Sequence, residues 1–426
     1  MREARTRAGA GAGGRGRARR RDGVFAPRAW LLGGAFLVLL GMGACSAFYV
    51  ARAGWEQAKI LASRESLVDV MTNPETDAET RGKLRLVRDA RTFAVEELGF
   101  QDVGDSYTSV AFLEADTLAL VLSAAHQDRL AFRTWWFPIV GRVPYRAYFS
   151  ERSAREAKEA LQEEGFDTHL RSTAAFSTLG WFSDPLYSTI LRRDHVGVVE
   201  TVLHELAHQH LFIPGQGRFN ESFATFVGNV AAKEFFCRRD GGGPDTVWCH
   251  RARDRWLDAQ DVSRHLDGLE REIRDLYARY HDGELQRDEL LEERDRIYAR
   301  GQERFRDEVQ PGLRASTFGV LAQEPFNNAT FLARILYYHR LPDFQRLLET
   351  HDGDLPAALA HLRSEAPGTD DPFDLLPDGN ETVAGTSGGT WGELVPWEAG
   401  TMFQCSPGGA APCSAGTDPT TAKPTN

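Results

Sequence analysis

The stretch from Val196 to Phe212 constrains this chain more than any other. Val198, Val199, Val202, Leu203, Leu206, Ala207 and Leu211 recur at three- and four-residue intervals, the pattern of a helix buried on most of its sides. Such a helix must run through the middle of a fold, and this one carries His204-Glu205-Leu206-Ala207-His208. Four-residue spacing stacks the two imidazoles one turn apart on one face, where both can meet a single zinc ion at about 2.0–2.1 Å. Glu205 flanks that face, placed to take a proton from water and later hand it to a leaving amine.

A catalytic zinc needs a third protein ligand and an open position. Pro214, Gly215 and Gly217 break the first helix, and a second amphipathic helix starts at Phe219-Asn220-Glu221-Ser222-Phe223-Ala224-Thr225. A helix-turn-helix returns the head of the second helix to the first, so Glu221 is the expected third ligand of a His₂Glu site, with Asn220 as a cap. The plainer account of Glu221 is a first-turn carboxylate that favours the helix dipole. His210 lies about 200° around the helix from His208 and reads as a packed histidine rather than a ligand.

The two ends of the chain differ from its middle. Residues 1–28 hold nine Arg against Glu3 and Asp22, amid Gly and Ala, and read as a disordered cationic segment. Without them the remainder is more acidic than the whole-chain charge of −11, which argues against a nucleic-acid binder. Trp30 to Ala51 carries no charge and reaches about 30 Å as a helix, enough to cross a bilayer core. Residues 29–51 therefore read as a membrane anchor with the Arg-rich side cytoplasmic, or as a lipoprotein-type signal cut before Cys45. Either reading places the rest of the chain outside the cytoplasm. The other four cysteines fall as two local pairs, Cys237 with Cys249 and Cys405 with Cys413, which suits disulfides in an exported protein, four free thiols being the alternative.

Between these ends, Gln57 to Met71 and Glu79 to Leu98 have helical periodicity. Short β-prone runs follow at Leu118–Ser123, Thr134–Gly141, Val143–Phe149 and Thr168–Arg171, with a helix at Ser153–Glu164. Residues 251–309 are densely charged and helical, broken at His281-Asp282-Gly283 into an antiparallel hairpin whose charges are mostly a solvated face. From residue 364 to 426 the chain turns rich in Gly, Pro, Thr and Asp and reads as a largely disordered tail, Trp391 and Trp397 excepted. The fold class is α+β, with a small mixed sheet ahead of the His204 helix and a largely helical C-terminal half in a core domain of residues 52–363.

With Thr134–Pro138, Tyr145–Phe149, Phe176–Pro185, His204–Gln209, Phe219–Thr225 and Pro325–Ala329 in view, the chain resembles the bacterial predicted aminopeptidases, zincin-like proteins with an exported catalytic domain. The resemblance spans roughly residues 55–363. It implies zinc on His204, His208 and Glu221, with Glu205 as the catalytic carboxylate. The chain departs from that family's pattern at Trp136 and Arg142, where cysteines stand. If those cysteines pair, a local brace is missing here while the metal chemistry is untouched.

No Gly-x-Met-Glu-Asn strand, the usual grip on a substrate's free amine, precedes the zinc helix. Ser177 to Pro185 stands in its place as an edge strand for an extended peptide. Asp184 there is either an amine partner or a turn residue before Pro185. An oxyanion donor would come from Tyr337, Tyr338 or His339, each also explicable by packing. Asn327 and Asn328 either order the site or cap the next helix.

The expectation is thus a zinc peptidase acting on peptides outside the cytoplasm, its membrane contact made through the N-terminal segment and no protein partner indicated. A zinc-stabilised envelope protein that binds peptides or proteins without turnover is the alternative. An intact Glu205 favours the enzyme, since a structural site closes its fourth position and has no use for a base.

Overall fold

The structure, a computed structural model, describes residues 59, 62–113, 119–137, 141–148, 150–173, 184–239 and 241–377. Every described residue belongs to one compact unit within Glu56–Asn426. The segments 1–28 and 29–51, residues 177–183 of the expected edge strand, Trp391, Trp397, Cys405 and Cys413 lie outside the described residues. Among the described residues no helix is long and apolar enough to cross a membrane.

The architecture is α+β, mostly helical with small mixed sheets. The first sheet joins β1 (Glu65–Ser66), β2 (Ser109–Ala111) and β8 (Leu186–Tyr187), with β2 antiparallel to β1 and parallel to β8. This pairing corrects the expected helix over Gln57–Met71. Glu65 pairs with Val110, and Ser66 caps a short helix α1 (Leu67–Thr72) by accepting from the Asp69 amide. Helix α2 (Ala78–Glu96) follows with Leu84, Val87, Ala90 and Ala94 fully buried.

The second sheet places β3 (Ala119–His126) between β6 (Tyr145–Tyr148) and β7 (Phe166–Thr173), all antiparallel. Strand alternation turns Leu122 and Ala124 toward Leu161 of α3 (Glu151–Glu163), while Ala125 enters the main core on the other face. A hairpin of β4 (Trp135–Phe137) and β5 (Gly141–Val143) sets Trp136 opposite Arg142, so the two departures from the resembled family fall on one cross-strand pair.

Helices α4 (His195–His210), α5 (Gly217–Arg238), α6 (Val247–His281) and α7 (Arg287–Arg304) form the centre. Cys237 in the last turn of α5 is disulfide-bonded to Cys249 in the first turn of α6. The α6–α7 hairpin turns at Gly283, whose φ of 82° suits glycine. Surface pairs such as Arg296 with Glu292 are solvated, as expected. Three hairpin charges are not. Asp258 accepts from the backbone amides of Arg314, Ala315 and Ser316, Arg294 pairs with Asp167 at 3.0 Å, and Glu270 is buried against Arg218.

Short helices α8 (Gly319–Gln323), α9 (Asn328–Ile335), α10 (Leu341–Thr350) and α11 (Leu355–Glu365) complete the domain. Packing continues past the expected end at residue 363. Phe373 is buried against Phe219, His339 and Phe344, and Leu376 is buried as well, so two aromatic and aliphatic anchors hold a segment whose composition alone reads as tail.

Candidate metal centre

Helix α4 begins where the Asp194 carboxylate accepts from the Gly197 amide at 2.7 Å. Val198, Val199, Val202, Leu203, Leu206 and Ala207 are fully buried, so hydrophobic burial fixes the helix's rotation about its axis and with it the face that carries His204 and His208. Their Nε2 atoms stand 3.2 Å apart. The chain then leaves the helix at Leu211 and turns at Gly215.

Asn220 does not cap α5, which already starts at Gly217. Its side chain instead clasps the preceding loop, donating to the Ile213 carbonyl at 2.8 Å and accepting from the Ile213 amide at 3.0 Å. Glu221 consequently sits in the second turn, past the reach of the dipole account. Its Oε2 lies 3.5 Å from His204 Nε2 and 3.6 Å from His208 Nε2. Burial by itself raises the Glu221 pKa, but the imidazoles of His208 and His204 more than offset it and hold the carboxyl at about 2.

The ligand atoms of His204, His208 and Glu221 all lie within 4.8 Å of one another and could hold a metal ion. A tetrahedral zinc with bonds of about 2.0–2.2 Å separates its ligand atoms by roughly 3.3–3.6 Å, close to the 3.2, 3.5 and 3.6 Å observed. Among the described residues no lysine or arginine neutralises Glu221, and the buried His208 Nδ1 has no hydrogen-bond partner. A buried carboxylate facing only imidazoles is a donor set fit for a cation. Glu205 places its Oε1 4.0 Å from His204 Nε2, at the rim of the group.

Of the three oxyanion candidates, the structure brings Tyr337 to the cluster, its ring centroid 6.2 Å from that of His204. Tyr338 packs in the core against Phe318, and burial raises its pKa. His339 is held by Asp267 at 2.6 Å. Asp184 is tied through its backbone to the loop before β2. Its amide donates to Ser106 Oγ and its carbonyl accepts from the Tyr107 amide, while Gln209 beside His208 donates to the same Ser106 Oγ. His210 is a packed histidine, stacked on Phe100 and accepting from the Gln101 amide, with its pKa lowered to about 4 by burial. Asn327 caps α9. Asn328 is a buried hub that accepts from Tyr277 and Tyr298 and donates to the His126 carbonyl, away from the metal cluster.

Sequence reasoning missed Ser222, next to Glu221. Its hydroxyl donates to the Leu336 carbonyl and accepts from the His339 amide, fastening the turn that bears Tyr337. It also missed a second group of the same residue types, Asp267, Glu270 and His339, whose ligand atoms lie equally close. Arg218 grips both Glu270 oxygens and Arg274 adds a contact at 2.8 Å, making this an ion-pair network. No local spacing announces either feature, because the partners are distant in sequence.

No curated protein and no solved structure matches the chain. The family model described as "Putative aminopeptidase" matches residues 48–368, which is well over half of the sequence and includes every residue of the metal cluster. The chain therefore belongs to the "Putative aminopeptidase" family.

Proposed function

We propose that the protein is a zinc-dependent peptidase of the gluzincin kind that removes amino-terminal residues from peptides outside the cytoplasm. The observation that carries this reading is the convergence of His204, His208 and Glu221 with Glu205 at their rim. Zinc held by the first three residues would act as the Lewis acid that polarises the scissile carbonyl and acidifies water.

The chain's own residues supply the rest. The Glu205 carboxylate accepts the proton of the attacking water and passes it to the departing amine nitrogen. The Tyr337 hydroxyl donates to the oxygen that gains charge as the carbonyl carbon becomes tetrahedral. Asp184 meets the free amine of the substrate, fixing which bond reaches the base. Family membership implies a peptide substrate, and the amine partner accounts for exopeptidase action.

The test is a peptide library offered to the full-length protein and its variants. Glu205→Gln keeps size and hydrogen bonding while losing basicity, so it should retain zinc and lose on the order of 10² to 10⁴ in turnover. N-acetylated peptides should resist cleavage. A Glu205→Gln protein as active as the parent would remove the base from this mechanism, and equal activity in His204→Ala would sink the zinc-peptidase reading.

The cellular location belongs to the same proposal. Arg-rich residues 1–28 beside the uncharged run 30–51 support a cytoplasmic N-terminus and an exported domain, and the Cys237–Cys249 disulfide suits an oxidising compartment. A C-terminal reporter that fluoresces only in the cytoplasm should stay dark. Bright cells would overturn export.

A further inference from the structure

Gly228 stands in the interior of α5, where alanine would make the better helix. A Cβ built on it would lie 2.8 Å from the backbone carbonyl oxygen of Glu200 and 3.1 Å from His204 Cβ, with His204 Cα at 3.4 Å. The nearest of these atoms belongs to the backbone of α4 and cannot rotate aside. Nor is α4 free to yield. Arg255 of α6 reaches both its N-cap Asp194, at 2.9 Å, and Glu200, at 3.3 Å. A side chain at position 228 would therefore push α5 away from α4.

The position matters because of what else that face carries. Gly228 follows Glu221 by seven residues, two turns less about 20°, so both lie on one face of α5. The helices run antiparallel. Glu221 meets His204 and His208, and two turns on, Gly228 meets Glu200 and His204. Both imidazoles belong to α4 and move together, whereas Glu221 is the one member of the cluster on α5. Any widening of the crossing falls wholly on the Glu221 contacts of 3.5 and 3.6 Å.

We propose that Gly228 is a positioning residue of the metal centre: its missing side chain sets the α4–α5 spacing at which the Glu221 carboxylate reaches both imidazoles. The inference rests on the metal reading above and deepens it, adding the device that holds the third ligand in range.

The experiment measures zinc affinity of the full-length protein by competition with a chelating indicator, and the visible absorption of the cobalt-substituted form. Gly228→Ala should bind zinc at least tenfold more weakly and alter the cobalt spectrum. Gly301→Ala, which crowds Leu269 at the α6–α7 crossing, should lower thermal stability but leave affinity and spectrum at parental values. Glu221→Asp leaves the crossing untouched and shortens the carboxylate's reach by one methylene, so it too should lose at least tenfold, and it keeps the question open to test if Gly228→Ala does not fold. Parental affinity and spectrum in folded Gly228→Ala, or parental affinity in Glu221→Asp, would overturn the spacing inference alone. A parent chain that takes up no zinc would overturn the metal reading and this inference with it.

Discussion

Two groups of histidine and carboxylate lie on α5 and its neighbours, built from the same residue types and opposite in electrostatic design. In one, His204, His208 and Glu221 face each other with no guanidinium from the described residues among them. In the other, Asp267, Glu270 and His339 are closed by Arg218 and Arg274, with the Arg340 amide and Ser263 hydroxyl donating to Asp267. Burial raises the pKa of both Glu221 and Glu270, and opposing charge brings each to about 2. For Glu270 the leading charge is a permanent arginine; for Glu221 it is histidine. The difference teaches where a cation can enter. A carboxylate gripped by arginine on both oxygens has little left for a metal, whereas one facing imidazoles could hold a metal ion with them.

The sharpest way to break this comparison is to remove the resident cation. Arg218→Leu leaves the buried Glu270 with only the more exposed Arg274 as a permanent cation and should cost about 3 kcal/mol in urea denaturation. Pairing it with Glu270→Leu should recover most of that loss, since the buried charge is then gone. A cost under about 1 kcal/mol would mean that the network does not hold the helices together.

A smaller effect sharpens the other half. Zinc at a hundredfold excess over its dissociation constant should stabilise the parent by about 2.7 kcal/mol, and Glu221→Gln should lose most of that gain. Without metal, the same variant should lie within about 1 kcal/mol of the parent. Binding should saturate at one zinc per chain, leaving the Asp267 group unfilled. If metal-free Glu221→Gln were as damaged as Arg218→Leu, the two groups would be alike and the comparison would fail.

Legibility varied with how local the cause was. The α4 and α5 helices, the α6–α7 hairpin and the strands β3, β6 and β7 follow from periodicity and turn residues, and all lie within a few residues of their expected bounds. The helix expected across Gln57–Met71 is broken at Glu65–Ser66, because Glu65 finds a strand partner in Val110, more than forty residues away, while Leu67–Met71 is helical as expected. The core was expected to end at residue 363 because the composition beyond it is poor in apolar residues. Phe373 overrides that average by docking on Phe219 and Phe344. Tyr337 could not be separated from Tyr338 and His339 in sequence, since consecutive residues differ only in direction.

The sequence by itself determined what is periodic: a buried helix with two imidazoles one turn apart, a neighbouring base, and a second helix bearing a carboxylate, because a repeat of 3.6 residues converts spacing directly into a face. Tertiary structure alone decided the rest. It brought Glu221 to within 3.6 Å of both imidazoles, turned Tyr337 toward His204 and supplied arginine to the Glu270 carboxylate. These outcomes depend on the distance and rotation between helices, which are set by atoms such as the absent side chain of Gly228 and by contacts more than a hundred residues apart, as between Ser222 and Leu336. Local propensity carries no record of either.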